Sequence, residues 1–163
     1  MQSTPPNHTF TAALLHDIGK IVLGPLVKKQ STAIGDLLRK EQLPFDEAER
    51  AILGIDHQEV GALLLREWNI PESIVEAVRW HHQPNDYDGE KLVVDLIHVS
   101  EMLTWETDVE ASIESENYKI DDQASQRLGL DDSVHDLIVE TMTAELRKYQ
   151  EVLRSESAET GSG

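Results

Sequence analysis

Apolar residues in this chain recur three and four positions apart, and no stretch alternates apolar with polar over a strand's length. Ile34, Leu37 and Leu38 form one such set, Val60, Leu63, Leu64 and Leu65 a second, and Ile74, Val75, Ala77 and Val78 a third. That period is one face of a helix. Helix boundaries fall between the sets. Thr9 precedes a helix over 10–17 that Gly19 is expected to end. A short apolar piece over 21–29 and a helix over 31–42 follow. Pro44 opens a helix over 45–53, with Asp46, Glu47 and Glu49 in its first turns, where acidic side chains suit the helix dipole. Asp56, with Glu59 three residues on, reads as the capping box of a helix over 57–68. Pro71 starts another that reaches about His82, residues 83–89 read as a loop, and a strong helical pattern covers 90–105. Residues 106–121 are polar and give no clear pattern. A short helix over 122–128, stopped by Gly129, precedes a last helix over 133–153 capped by Asp132 or Ser133. The expected fold is an all-α bundle: one domain over 1–153, with a motif core over 10–105, C-terminal helices over 122–153 and a disordered tail over 154–163.

Composition narrows the functional classes. The 163 residues include no cysteine, which excludes disulfides, thiolate metal sites and a thiol nucleophile. There are 31 acidic and 14 basic residues, a formal charge of −17. Residues 84–163 hold 20 acidic and 6 basic residues, against 11 and 8 in residues 1–83. Nucleic-acid backbones and anionic membranes repel such a surface, because binding there relies on Lys and Arg displacing counterions. Uninterrupted apolar runs are a few residues long, far short of the roughly 20 that span a bilayer. The start, Met1-Gln2-Ser3-Thr4-Pro5-Pro6, lacks the basic and apolar regions of a signal peptide. The expectation is a cytoplasmic protein with no nucleic-acid or membrane partner.

The histidines are unevenly placed. His16-Asp17 is one adjacent pair, His81-His82 is another, and His57 opens a helix between them. Neighbours on a helix diverge by roughly 100°, so an adjacent pair at a helix end can straddle a cleft. Imidazoles with carboxylates suit iron, manganese, nickel or zinc. Asp17 is also the kind of group that bridges two metals about 3.5–4 Å apart, the arrangement that activates water for phosphoester hydrolysis. The plainer alternative is that these side chains cap helices or sit at the surface, since no His-x-x-x-His spacing occurs. His8 and His135 read as polar helix-end residues. His98 is placed to hydrogen-bond Glu101 three residues on. Trp68 and Trp80 read as core anchors.

The succession Leu14-Leu15-His16-Asp17-Ile18-Gly19-Lys20 resembles the signature of the HD superfamily of metal-dependent phosphohydrolases. With Gly54-Ile55-Asp56-His57-Gln58-Glu59-Val60-Gly61, Trp68, Ile70-Pro71, Ile74, Ala77-Val78 and His81-His82, residues 10–82 resemble the HDOD domain, the HD-related output domain of bacterial signalling proteins. Arg127-Leu128-Gly129-Leu130 before the last acidic helix resembles what often follows in such proteins. In the catalytic relatives, the HD-GYP phosphodiesterases of cyclic di-GMP, the corresponding residues hold metals. The resemblance therefore implies His16, Asp17, His57, His81 and His82 as ligands of one or two divalent ions. Glu101 falls where those relatives place a downstream Asp, with Asp95 the lesser substitute. Lys20 matches a lysine near the substrate phosphate.

Two departures shape the expectation. No Gly-Tyr-Pro follows His81-His82, where the loop reads Gln83-Pro84-Asn85-Asp86-Tyr87-Asp88-Gly89. Only His8 precedes His16, whereas HDOD domains usually carry a further helical half there, and the catalytic relatives draw one or more ligands from an upstream helix. The resemblance thus implies an output module that works through a protein partner or self-association, with a residual metal site. The rival it implies is a metal-dependent phosphohydrolase, taking a small phosphorylated ligand such as a nucleotide, with Asp17 and Lys20 in the catalytic roles.

Overall fold

The computed structural model describes residues 4–107 and 117–160, with side chains through residue 152. The described elements are helical: α1 (Thr9–Leu15), α2 (Ile18–Lys29), α3 (Ser31–Asp36), a π-helical turn (Leu37–Glu41), α4 (Phe45–Leu53), α5 (His57–Glu67), α6 (Glu72–Trp80), α7 (Leu92–Trp105), α8 (Asp122–Leu128) and α9 (Asp132–Thr160). Among the described residues there is no strand, as the apolar periodicity requires.

The main core lies between α1, α5, α6 and α7. Ala12, Ala62, Leu65, Val75, Val78, Val94 and Ile97 are all but fully buried there. Ile34, Leu38, Phe45 and Ala48 close a second cluster between α3, the π turn and α4. In a third, Val99, Leu103 and Ala124 meet Ile138, Val139 and Met142 of α9. The Arg127 guanidinium grips buried Asp95 with two bonds, 2.6 and 2.7 Å, and ties α8 to α7. Caps set several boundaries. The Asp56 side chain accepts from the Glu59 N–H at 2.8 Å, as the capping-box spacing predicts. Gly129 ends α8 at φ +69°, where a Cβ would be strained.

Several expectations are corrected. Gly19 does not end a helix: it lies in the first turn of α2 and is buried, and the chain breaks at His16-Asp17 instead. The helix expected over 31–42 changes to a π turn after Asp36 and ends at Gln42 in the left-handed region, φ 54°. The cap of α9 is Asp131, whose Oδ1 accepts from the N–H groups of Ser133 and Val134. The last helix, α9, is drawn as far as Thr160. Trp68 is 55% exposed and anchors no core. Trp80, by contrast, packs against the main core as expected and donates from Nε1 to Glu76 at 2.8 Å. Thr9–Lys29 is long and apolar enough to cross a membrane by length and composition alone. It is interrupted at His16-Asp17, where both side chains join a cluster of polar groups with His57 and Glu101.

Gly19 matters for close approach. A Cβ there would overlap the His57 carbonyl and come within 2.8 Å of the Gly61 nitrogen. These are backbone atoms and have little room to move. On Gly61 a Cβ would meet Val78 Cγ1 at 3.0 Å and Ile18 Cγ2 at 3.3 Å. The two glycines let α2 lie directly on α5, which brings Asp17 beside His57. Gly19→Ala is expected to destabilise the fold by about 3 kcal/mol, the upper range for overpacking. Gly24→Ala, in the same helix with nothing within 4 Å of the new methyl, should be neutral or stabilising by up to about 1 kcal/mol. Urea denaturation of both variants measures the contrast, and equal effects would contradict the packing argument.

Candidate metal centre

Each central side chain comes from the end of a helix or from a long buried face. His16 follows α1, and Asp17 occupies the N-cap position of α2. Yet the Asp17 carboxylate caps nothing; it turns inward and pairs with Lys20 Nζ at 2.9 Å. His57 is the first residue of α5, His81 follows α6, and His82 comes next. Glu101 projects from α7. All six expected ligand residues come together, and Lys20 sits beside them.

The rings are aimed by their second nitrogens. His16 Nδ1 donates to the Ala13 carbonyl at 2.7 Å and His81 Nδ1 to the Val78 carbonyl at 2.7 Å. His57 Nδ1 meets Glu49 Oε2 at 2.6 Å, and the same oxygen accepts the His57 backbone N–H at 2.9 Å. Each ring thus holds a proton on Nδ1 and turns Nε2 toward the centre, the orientation that metal-bound histidines take from such outer partners. His57 Nε2 is 3.5 Å from Asp17 Oδ1, and His81 Nε2 is 3.9 Å from the same oxygen. Glu101 lies 3.7 Å from His16 Nε2, 4.0 Å from His81 Nε2 and 3.6 Å from His82 Nδ1. These separations are too long for hydrogen bonds. Asp17 Oδ1, His57 Nε2, His81 Nε2, both His82 nitrogens and Glu101 Oε2 are buried without a hydrogen-bond partner. Two sets have ligand atoms all within 4.8 Å of one another: His57, His81 and His82, and His16, Asp17, His81 and Glu101. Bonds of about 2.1 Å to one ion keep its ligands roughly 3–3.5 Å apart, so modest contraction would seat a divalent cation. The donor set fits such an ion.

Glu49 was legible only as a helix-dipole acid, because no local spacing links it to His57. It is fully buried and orients that ring. His98 is corrected: its Nδ1 donates to the His81 carbonyl at 2.8 Å and its Nε2 accepts from the Asp121 N–H at 2.9 Å, so it braces the His81 backbone rather than pairing with Glu101. Asp95 is taken up by Arg127. His135 pairs with Glu106 and Asp136, far along the chain from the centre.

Burial pulls the His16 pKa down, but Glu101 and Asp17 outweigh it and raise it to about 9. Burial also opposes ionisation of Asp17, yet Lys20 and the surrounding imidazoles lower its pKa on balance. Burial and neighbouring imidazoles hold His81 and His82 well below 6.5, and burial lowers His98. In metal-free protein these shifts oppose each other. His81, His82 and His98 take up protons more readily unfolded, so their contribution to stability falls as pH drops below about 6.5. The His16 contribution is full below about 6.5 and is lost as pH rises through about 9. Thermal melts of stripped protein across pH should therefore fall on both sides of near-neutral pH, and His16→Gln should flatten the alkaline limb. An alkaline limb unchanged in that variant would show that Glu101 and Asp17 do not hold its proton.

Known proteins resemble this chain in sequence or in fold. An uncharacterized protein of Treponema pallidum (strain Nichols) is 24% identical over 83 residues, 48% of this chain and 16% of the relative. The crystal structure of a protein from Marinobacter aquaeolei VT8 assigned to signal transduction superposes with a TM-score of 0.70 at 20% identity, over 93% of this chain and 33% of that one. The chain thus spans about a sixth of the curated relative and a third of the solved one. The family described as the HDOD domain matches residues 1–84, the stretch that supplies every central histidine and Asp17. By that match, covering just over half its length, the chain belongs to the HDOD domain family.

Proposed function

We propose that this chain is a signal-transduction output module that binds one or two divalent ions at the convergence of α1, α2, α5, α6 and α7 and acts through protein contacts. The ring of buried, unpartnered acceptor atoms on Asp17, His57, His81, His82 and Glu101 carries the metal reading. Left bare, each such atom costs about 1–3 kcal/mol of lost hydration, and a fold retains several of them in one place when something satisfies them together. Iron, manganese, nickel and zinc suit the imidazole and carboxylate donors. When bound, such an ion would cross-link five helices and supply Lewis acidity at their junction. His16, Asp17, His57, His81, His82 and Glu101 would hold it, and Glu49 and the Ala13 and Val78 carbonyls would keep the rings aligned.

The protein-contact part of the reading draws support from the exposed apolar side chains of α1 and α2: Phe10, Leu14, Ile21, Val22 and Leu26, each about half exposed or more. Such side chains at the surface favour a protein partner or a second copy. The formal charge of −17 argues against nucleic acid.

One observation favours a phosphohydrolase as the second reading. Lys20 lies beside Asp17, whose side chain is 34% exposed, where a phosphoester could approach. Against it, the Lys20 ammonium is already engaged with the carboxylate.

Elemental analysis of protein purified without a metal column should find about one or two equivalents of metal per chain, lost in a His81→Ala, His82→Ala double variant. No stoichiometric metal, even after anaerobic reconstitution, would overturn the metal reading. Removing a metal present at about 100 times its Kd should lower stability by about 2.7 kcal/mol, visible as a lower Tm. Asp17→Ala should keep the helical circular dichroism and abolish any phosphoester hydrolysis. Stoichiometric metal with no turnover on nucleotide and generic phosphoesters supports the module; turnover lost in Asp17→Ala supports the enzyme.

A further inference from the structure

The His82 ring is enclosed nearly as fully as those of His57 and His81. Its side chain is 1% exposed, and neither ring nitrogen has a hydrogen-bond partner. Two aromatic rings lie against it. The Tyr118 centroid is 4.4 Å away with 21° between the planes, and that of Trp105 is 6.3 Å away at 29°. Those two rings are 5.1 Å apart, so they form a continuous apolar wall.

Tyr118 is latched in place. Its hydroxyl donates to Asp46 Oδ1 at 2.6 Å and accepts from the Asp46 N–H at 3.0 Å. The other Asp46 oxygen accepts from Gln83 Nε2 at 2.6 Å, and Gln83 Oε1 accepts from Gln58 Nε2 at 3.1 Å. The network therefore runs from Tyr118 to the residue after His82 and on to the residue after His57. Asp46 lies on α4 one turn from Glu49, which holds His57. The preceding residue is pinned as well: Asn117 Nδ2 donates to the Leu38 and Leu43 carbonyls at 3.0 and 3.1 Å. Its φ of 71° is one that Asn tolerates better than most residues.

The two ligand sets therefore differ in access. Asp17 is 34% exposed and His16 24%, whereas His57, His81 and His82 are at most 1% exposed. We propose that Tyr118 is the cover of the three-histidine half of the centre: stacked on His82 and latched to Asp46, it shuts that half, and solvent or a ligand gains access there when Tyr118 leaves Asp46. The proposal rests on the metal reading only for what occupies the half-site. The covering itself is a property of the metal-free chain.

Carbethoxylation of metal-stripped protein by diethyl pyrocarbonate, mapped by peptide mass spectrometry, tests it. In the wild type, His82 should react at least about tenfold more slowly than His135, whose side chain is 27% exposed. Tyr118→Ala should bring His82 to within about threefold of His135. His98, bonded through both nitrogens and 2% exposed, should stay slow and so report an intact fold. Tyr118→Phe keeps the ring and loses both Asp46 bonds, and should raise the His82 rate to between those of the wild type and Tyr118→Ala. His82 as fast as His135 in the wild type, or as slow in Tyr118→Ala as in the wild type, overturns the proposal. If Tyr118→Ala does not fold, Tyr118→Phe decides, and a wild-type His82 rate in it overturns the latch. A parallel measurement follows loss of zinc to a chromogenic chelator, expected to be about tenfold faster in Tyr118→Ala. Protein that takes up no zinc but shows His82 uncovered by the substitution defeats the metal reading and supports the cover; zinc held equally long in both proteins, with His82 slow in both, defeats the cover.

Discussion

The central ring of His57 is gripped from two directions. The Glu49 carboxylate takes both its backbone N–H and its Nδ1–H, and its carbonyl lies where a side chain on Gly19 would sit. The first contact fixes the ring's tautomer and direction. The second presses the start of α5 against the start of α2, which sets Asp17 Oδ1 3.5 Å from His57 Nε2. The rest of the centre builds on that crossing: α6 packs on α5 and delivers His81 and His82, and α7 packs on α6 and delivers Glu101.

That arrangement concentrates unsatisfied chemistry. Four imidazoles and two carboxylates meet in a small volume, and the positive charge among them comes from Lys20 and protonated His16. Hydrogen bonding elsewhere is economical by contrast: Asp95 is matched by Arg127, Asp46 by Tyr118 and Gln83, and His98 by two backbone groups. The bare polar atoms on Asp17, His57, His81, His82 and Glu101 cluster at one point, and such a cluster suits a cation. Proton uptake by His16 partly offsets the negative charge of the two carboxylates.

The centre is also asymmetric. Its Asp17 and His16 side meets solvent, and its His57, His81 and His82 side is walled by Tyr118 and Trp105. An ion on the closed side would brace helices and exchange slowly, and chemistry on an outside molecule would be restricted to the open side. That division suits a module in which the ion holds a shape that a partner reads.

Much was legible in the chain itself because it is encoded locally. The 3.6-residue spacing of the apolar residues makes helices, Asp56 with Glu59 marks a helix start, Gly129 marks a helix end, and the ordered His-Asp, His and His-His motifs announce the family and its candidate ligands. What escaped depends on contacts between distant segments. Gly19 reads locally as a helix stop, and only the crossing of α2 over α5 shows it to be a spacer. Glu49 reads as a helix-dipole acid until α4 is seen to carry it to His57, eight residues on. His98 has Glu101 in reach along its own helix, but the packed fold offers it the His81 carbonyl and the Asp121 N–H. Tyr118 lies in a stretch with no periodicity at all, and its place over His82 is decided by Asp46, 72 residues earlier. The sequence by itself determined which elements form and which side chains are able to bind an ion. Tertiary structure decided which way those side chains point, what orients them and which half of the centre is shut, because these follow from the close approach of backbones and from hydrogen bonds across helices that no local spacing encodes.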